Sequence, residues 1–182
     1  MQLAIIHYHL NRGGGSQVIL NHLKSLAASN SGLEIERVAI LYGGRRAESP
    51  EPQSDKPPPF ELILIPASDL EYDMFSETGV RDLTTSMRSL LATHGFHHDD
   101  TILHIHNHAL GKNAALPDTI VELVKDGYRV LLQVHDFIED FRPENYRHLD
   151  SVLACHDSDA LSARRSPQSR GIHCAGRDRR AR

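Results

Sequence analysis

Short apolar runs alternate with amphipathic helical segments along most of this chain, and this order constrains the fold more than any other feature. Strands are predicted at 3–8, 35–42, 60–65, 101–106 and 129–134. Helices are predicted from an N-cap at Ser16 to about Ser29, and at 78–93 and 117–126, with weaker signals for a helix at 145–149 and a strand at 151–155. Strands that alternate with helices pair in parallel through right-handed crossovers. The sequence therefore predicts an α/β fold, with a doubly wound, mainly parallel, Rossmann-like sheet and helices on both faces.

Proline content and charge divide the chain into a domain, a loop and a tail. Residues 1–156 are expected to form one Rossmann-like domain, interrupted by a Pro-rich surface loop at 45–59 that holds five of the nine prolines. Residues 157–182 form an Arg-rich tail, in which 162–182 contain seven arginines and one acidic residue. Because this tail has no apolar periodicity, we expect it to be disordered or read out of frame. The remaining residues carry a net charge of −10, which argues against nucleic-acid binding.

The sequence also gives an expectation for the cellular compartment in which the protein is found. The longest apolar run, Val38–Tyr42, is far shorter than the ~20 residues of a membrane-spanning helix, so no transmembrane segment is expected. The N-terminus lacks the basic region of a signal peptide, which predicts a cytoplasmic protein. Two cysteines, Cys155 and Cys174, cannot form a disulfide framework or a four-thiolate zinc site.

Histidines gather where the predicted strands end. Six of the 13 lie at or near the ends of three strands, namely His7, His9, His104, His106, His108 and His135. Ligands of doubly wound sheets bind beyond the carboxyl ends of the strands. We therefore expect these side chains to converge on one edge of the sheet and to form a site there.

A glycine loop, Gly13, Gly14 and Gly15, joins the first strand to the first helix. Glycines let backbone N–H groups approach a ligand, and the end of the helix favours an anion. The pattern matches neither the dinucleotide-binding fingerprint nor the ATP phosphate loop, so it predicts neither ligand. A turn that only makes room for the chain is equally consistent with it.

Alternate histidines on the fourth strand, His104, His106 and His108, share one face. With His135 or Asp136 they could hold a divalent metal. We favour hydrogen bonding to a sugar or a phosphate instead, because each neutral ring offers one donor and one acceptor, and we assign no metal.

Two further sets of residues follow the fourth and fifth strands. Asn107 and Lys112 are candidates for contacting an acceptor substrate or a phosphate group. His135 leaves the fifth strand towards the site, and the adjacent Asp136 can bias its tautomer or charge, so both are candidate catalytic residues. They do not form part of a serine or cysteine triad, and a histidine that only caps a turn is the alternative.

The segments Ile5–Gly15, Leu103–His108 and Leu131–Phe137 together resemble the N-terminal domain of retaining glycosyltransferases of the two-domain GT-B architecture, the family-4-like group. The resemblance covers about residues 1–155. It implies that Gly13–Gly15 lies near the donor diphosphate and the acceptor in an interdomain cleft. It further implies that His135, with Asp136 beside it, contacts the donor sugar, and that the histidines of the fourth strand line the acceptor half.

The same resemblance implies a nucleotide-sugar donor, a glycan or other hydroxyl compound as acceptor, and no cofactor. The family continues into a second domain that residues 156–182 cannot supply, so we expect an acceptor-side half that transfers no sugar alone. A frameshift or truncated reading is the leading explanation, and a natural single domain with a separate donor-binding subunit is the second. Two other classes stay open: a metal-dependent hydrolase using His104, His106 and His135, and a binding module that docks a partner chain.

Overall fold

The computed structural model describes residues 1–28, 34–44, 57–71, 79–136, 143–145 and 147. The predicted Pro-rich loop at 45–59 and helix at 145–149 lie largely outside these residues. The predicted strand at 151–155 and the tail at 157–182 lie outside them entirely.

Within the described residues, five strands and three α-helices follow one another in the order that the sequence predicts. The strands are β1 (Gln2–His7), β2 (Arg37–Tyr42), β3 (Glu61–Pro66), β4 (Thr101–His106) and β5 (Arg129–Gln133). The helices are α1 (Gly14–Ala28), α2 (Val80–Thr93) and α3 (Leu116–Lys125), with a single 3₁₀ turn at Ser68–Leu70. Among the described residues, no helix is both long and apolar enough to cross a membrane.

The strands form one sheet in the order β3-β2-β1-β4-β5, and every neighbouring pair is parallel. In the middle of the sheet, Ile5 lies opposite Ile40 of β2 on one side and opposite His104 of β4 on the other. The strand order reverses between β1 and β4, and this switch point is where such sheets form a crevice. The α/β, Rossmann-like prediction is therefore confirmed.

Helices cover both faces of the sheet because successive strand residues point to opposite sides. On one face, Ile6 is buried with apolar residues of α2 and α3, such as Met87 and Leu123. On the other face, Ile5 is buried with Ile19 of α1. β4 carries Leu103 and Ile105 on the α2–α3 side, which leaves His104 and His106 on the side of α1.

The predicted start of the first helix is wrong. The helix begins at Gly14 rather than after Ser16, whose Oγ donates a 2.6 Å hydrogen bond to the carbonyl of Asn11. Gly14 and Gly15 form part of the first turn, so the helix starts three residues earlier than predicted. β5 is largely exposed: Leu131 is 53% exposed and Leu132 46% exposed, because β5 lies at the edge of the sheet among the described residues.

Candidate functional site at the strand ends

The carboxyl ends of β1, β4 and β5 lie side by side, because these three strands are adjacent in the sheet. The sequence places histidines at each of these ends, and parallel pairing brings them to one edge. Six imidazoles form a continuous set of ring contacts, which we call the histidine cluster: His7, His9, His22, His104, His106 and His135.

His106 is the centre of the histidine cluster. Its ring centroid lies 4.4 Å from that of His104 and 5.1 Å from that of His135. The rings of His7 and His22 each lie 5.8 Å away. The side chain of His106 is fully buried among these four rings.

Two hydrogen bonds join the histidines of β4 to Gln133, the last residue of β5, and to His135 just beyond it. His104 Nε2 lies 2.8 Å from Gln133 Oε1, and His106 Nδ1 lies 2.9 Å from His135 Nε2. An amide oxygen only accepts, so His104 carries its proton on Nε2. His106 Nε2 and His22 Nδ1 are buried and have no hydrogen-bond partner among the described residues.

Burial favours the neutral form of five rings of this cluster, namely His7, His9, His22, His104 and His106. Desolvation, followed by the nearby His9, Lys112 and His135, lowers the pKa of His7 to about 4. Desolvation and the surrounding histidines, beginning with His104, lower the pKa of His106 to about 2. Burial also lowers the pKa values of four others, His9, His22, His104 and His108. Neutral imidazoles both donate and accept hydrogen bonds, and they bind metal ions.

Asn107 joins the end of β4 to the end of β5. It has a left-handed backbone, with φ of 53°, and its side chain is buried. Its backbone N–H donates to Gln133, and its Oδ1 accepts from the backbone N–H of His135 at 2.7 Å. Its Nδ2 also donates to Asp136 Oδ2 at 3.4 Å. Asn107 thus positions both candidate catalytic residues, which are half-buried at the edge of the site.

The glycine loop lies against His7. A Cβ atom on Gly15 would lie 2.5 Å from His7 Nε2, whereas one on Gly14 would meet nothing within 4 Å. Gly15 therefore allows the first turn of α1 to approach the histidine cluster. That turn presents backbone N–H groups without intrahelical partners, as at any helix N-terminus, so the structure brings an anion-attracting end to the same edge.

Lys112 supplies positive charge beside the strand ends. Its Nζ lies 5.9 Å from the ring centre of Tyr8, just beyond β1. The Tyr8 hydroxyl donates to the carbonyl of Asn107 at 3.0 Å, which connects the end of β1 to the loop after β4. His108 follows Asn107 and is partly exposed.

The structure therefore brings most of the predicted residues together, but in two layers. His108, Lys112, His135 and Asp136 are partly accessible, whereas His104, His106 and Asn107 lie buried beneath them. The sequence analysis missed His22, which flanks the apolar stripe of α1 beside Leu23. His22 lies at the edge of the apolar stripe of α1, and this position is the signal in the sequence that could have identified it. A prediction based only on the ends of strands does not include it.

The fold and this edge of the sheet define a Rossmann-like α/β protein, and its sequence is distantly homologous to that of a glycosyltransferase. The particular relative is mannosylglucosyl-3-phosphoglycerate synthase of Petrotoga mobilis, to which the chain is 28% identical over 162 residues. The match covers 83% of this chain and 29% of the relative, so the chain spans less than a third of that protein's length. No family model matches the chain, and no solved structure matches it.

Proposed function

We propose that this chain forms the acceptor-side half of a glycosyl transfer site of the GT-B, family-4-like type. A sugar passes there from a nucleotide-sugar donor to a hydroxyl group of the acceptor. The observation that carries the proposal is the joining of β4 and β5 by Asn107, which holds His135 and Asp136 at the carboxyl end of the sheet. The distant homology to a glycosyltransferase supports the same reaction class.

The accessible residues divide by the chemistry they offer. His135 and Asp136 lie at the edge where a donor sugar would enter, and we assign them to that sugar. Gly13–Gly15 and the N-terminus of α1 suit the negative charge of a diphosphate or an acidic acceptor. His104 and His106 support this surface from below, because both are buried and His106 is bonded to His135.

Lys112 indicates the class of acceptor. Its ammonium group lies 5.9 Å from the ring centre of Tyr8, just beyond β1. The relative's name includes a phosphoglycerate, which carries phosphate and carboxylate groups. We therefore assign to this chain an acidic, phosphorylated acceptor, held by Lys112 and the first turn of α1.

Transfer needs donor and acceptor held in one geometry, and the described residues offer only one side of such a cleft. The chain matches 29% of the relative, so a large part of that protein has no counterpart in the match. We propose that the main nucleotide-binding groups belong to a further domain or a separate subunit.

The first test is the binding of 3-phosphoglycerate to the 182-residue chain, followed by calorimetry. We expect saturable binding that Lys112→Ala weakens about tenfold, since the variant loses one charge-assisted hydrogen bond of about 1.5 kcal/mol. Lys125→Ala is the matched control, because Lys125 lies at the end of α3 and pairs with Glu122. Equal weakening by both variants, or no binding at all, would contradict the acceptor assignment.

The second arm incubates the same chain with 3-phosphoglycerate and a panel of nucleotide sugars. We expect no release of nucleoside diphosphate and no glycosylated product by mass spectrometry. Sugar transfer by the chain alone would show that the donor site lies within these residues, and the half-site proposal would then be wrong.

A further inference from the structure

Three histidines from two elements converge between α1 and β4. His22 projects from α1, and His104 and His106 lie on the face of β4 that α1 covers. The ring centroids of His22 and His104 are 5.3 Å apart, and the rings are stacked. One ring nitrogen of each residue lies within 4.8 Å of the other two.

The protein leaves a lone pair available on each ring. His104 uses Nε2 to bond Gln133, which leaves Nδ1 unprotonated. His106 Nε2 belongs to a fully buried side chain and has no hydrogen-bond partner among the described residues, and the same holds for His22 Nδ1. Buried polar atoms normally have partners, so these two orphaned nitrogens require an explanation.

We propose that His22, His104 and His106 bind a divalent transition-metal ion, with Zn²⁺ as the best fit. Imidazole nitrogens suit zinc, whereas magnesium and calcium prefer oxygen ligands. A zinc–nitrogen bond of about 2.0–2.1 Å places ligand nitrogens about 3.4 Å apart, so the nitrogens close by up to about 1.4 Å on binding. Three imidazoles leave a fourth position for water.

His135 positions a ligand in this site and is not one itself. When His106 Nε2 binds the ion, its Nδ1 carries the proton and donates to His135 Nε2, 2.9 Å away. Such a bond fixes the ring and raises its basicity as a ligand. The site therefore differs from the set of His104, His106 and His135 that the sequence alone suggests.

The ion would connect α1 to the central sheet. Ile19 and Leu23 of α1 pack on apolar residues of β1 and β2, whereas His22 meets β4 through ring contacts. His22 is only partly buried, so the ion can enter from the side of α1. The inference does not depend on the proposed glycosyl transfer, because the site lies beneath the accessible edge and uses none of its cationic groups.

The test measures zinc binding to the chelator-stripped 182-residue chain. We expect the wild type to bind one more tight Zn²⁺ than His22→Ala, and to gain thermal stability on zinc addition that His22→Ala does not gain. Because His22 is partly exposed, its replacement leaves the buried strands unchanged. His97→Ala is the control, since His97 is exposed on the opposite edge of the sheet. All variants retain Cys155 and Cys174, so any binding there cancels.

A second variant separates the two possible ligand sets. His135→Ala is expected to keep the extra ion but to bind it about 10–100-fold more weakly. Cobalt substitution reports the same site, with the visible absorption of a four-coordinate ion present in the wild type and absent in His22→Ala. Equal zinc stoichiometry and affinity in the wild type and His22→Ala would overturn the proposal, as would loss of the ion in His135→Ala alone.

Discussion

At the scale of single residues, the imidazole of His106 is buried among four others, where solvent cannot hydrate a positive charge on the ring. A protonated ring in such a set loses its hydration, and its positive charge disfavours protonation of the neighbouring rings. Burial and neighbouring histidines therefore lower the pKa of both His106 and His7. The folded protein becomes less stable at pH values at which the unfolded chain binds protons that the folded protein does not bind.

For the metal-free protein in chelator, this predicts acid sensitivity. The unfolded chain protonates His7 below about pH 6.5, whereas the folded ring stays neutral until about pH 4. Between these values, the free energy of unfolding decreases as the pH is lowered. The decrease is up to about 1.4 kcal/mol per pH unit for His7, and His106 contributes similarly. Urea unfolding from pH 7 to pH 5 measures the slope. The His7→Gln variant should have a smaller slope, because the contribution of His7 is lost. An unchanged slope in this variant would contradict the interpretation that the His7 ring is neutral in the folded protein.

Two adjacent glycines give a second prediction at this scale. Gly15→Ala places a methyl group against His7, so the variant should lose about 1–3 kcal/mol of stability and shift the NMR signals of that ring. Gly14→Ala meets no atom within 4 Å and should be neutral or stabilise by up to about 1 kcal/mol. If both variants unfold at the same urea concentration, the close approach of α1 to His7 is wrong.

At the scale of elements, α3 provides a direct test of helix orientation. Leu123 is 1% exposed against the sheet, whereas Val124 is 50% exposed on the outer side. Leu123→Ala should cost about 2–5 kcal/mol, because it leaves a cavity in the core. Val124→Ala should change stability by no more than about 0.5 kcal/mol. Comparable losses in chemical denaturation would mean that α3 is rotated about its axis relative to this structure.

The sequence predicts the elements well because each strand and helix carries its own apolar period. β4 has the predicted bounds, and most other element ends differ by one or two residues. What periodicity does not contain is the arrangement between elements. The approach of His22 to His104 depends on how α1 crosses the sheet, and Asn107 acts through a left-handed turn that a His-Asn-His pattern does not reveal.

At the scale of the whole molecule, the candidate site exists because β1 and β4 are neighbours. Predicting a parallel sheet was enough to expect His7, His106 and His135 at one edge, since carboxyl ends align in parallel sheets. It was not enough to expect two layers, with buried rings below and accessible groups above. That division arises from cross-strand hydrogen bonds such as His106 with His135, which the sequence pattern does not specify.

The strand order also has a consequence in time. Gln2 of β1 pairs with Thr101 of β4, so the central strand meets its second neighbour only after about a hundred further residues have been synthesised. At about 5–20 residues per second, this delay is about 5–20 s on the ribosome. Throughout it, Leu3–Ile6 has one open edge in the nascent chain. The first apolar strand therefore waits longest for its second neighbour, and unpaired strand edges are the places where incomplete chains associate with one another.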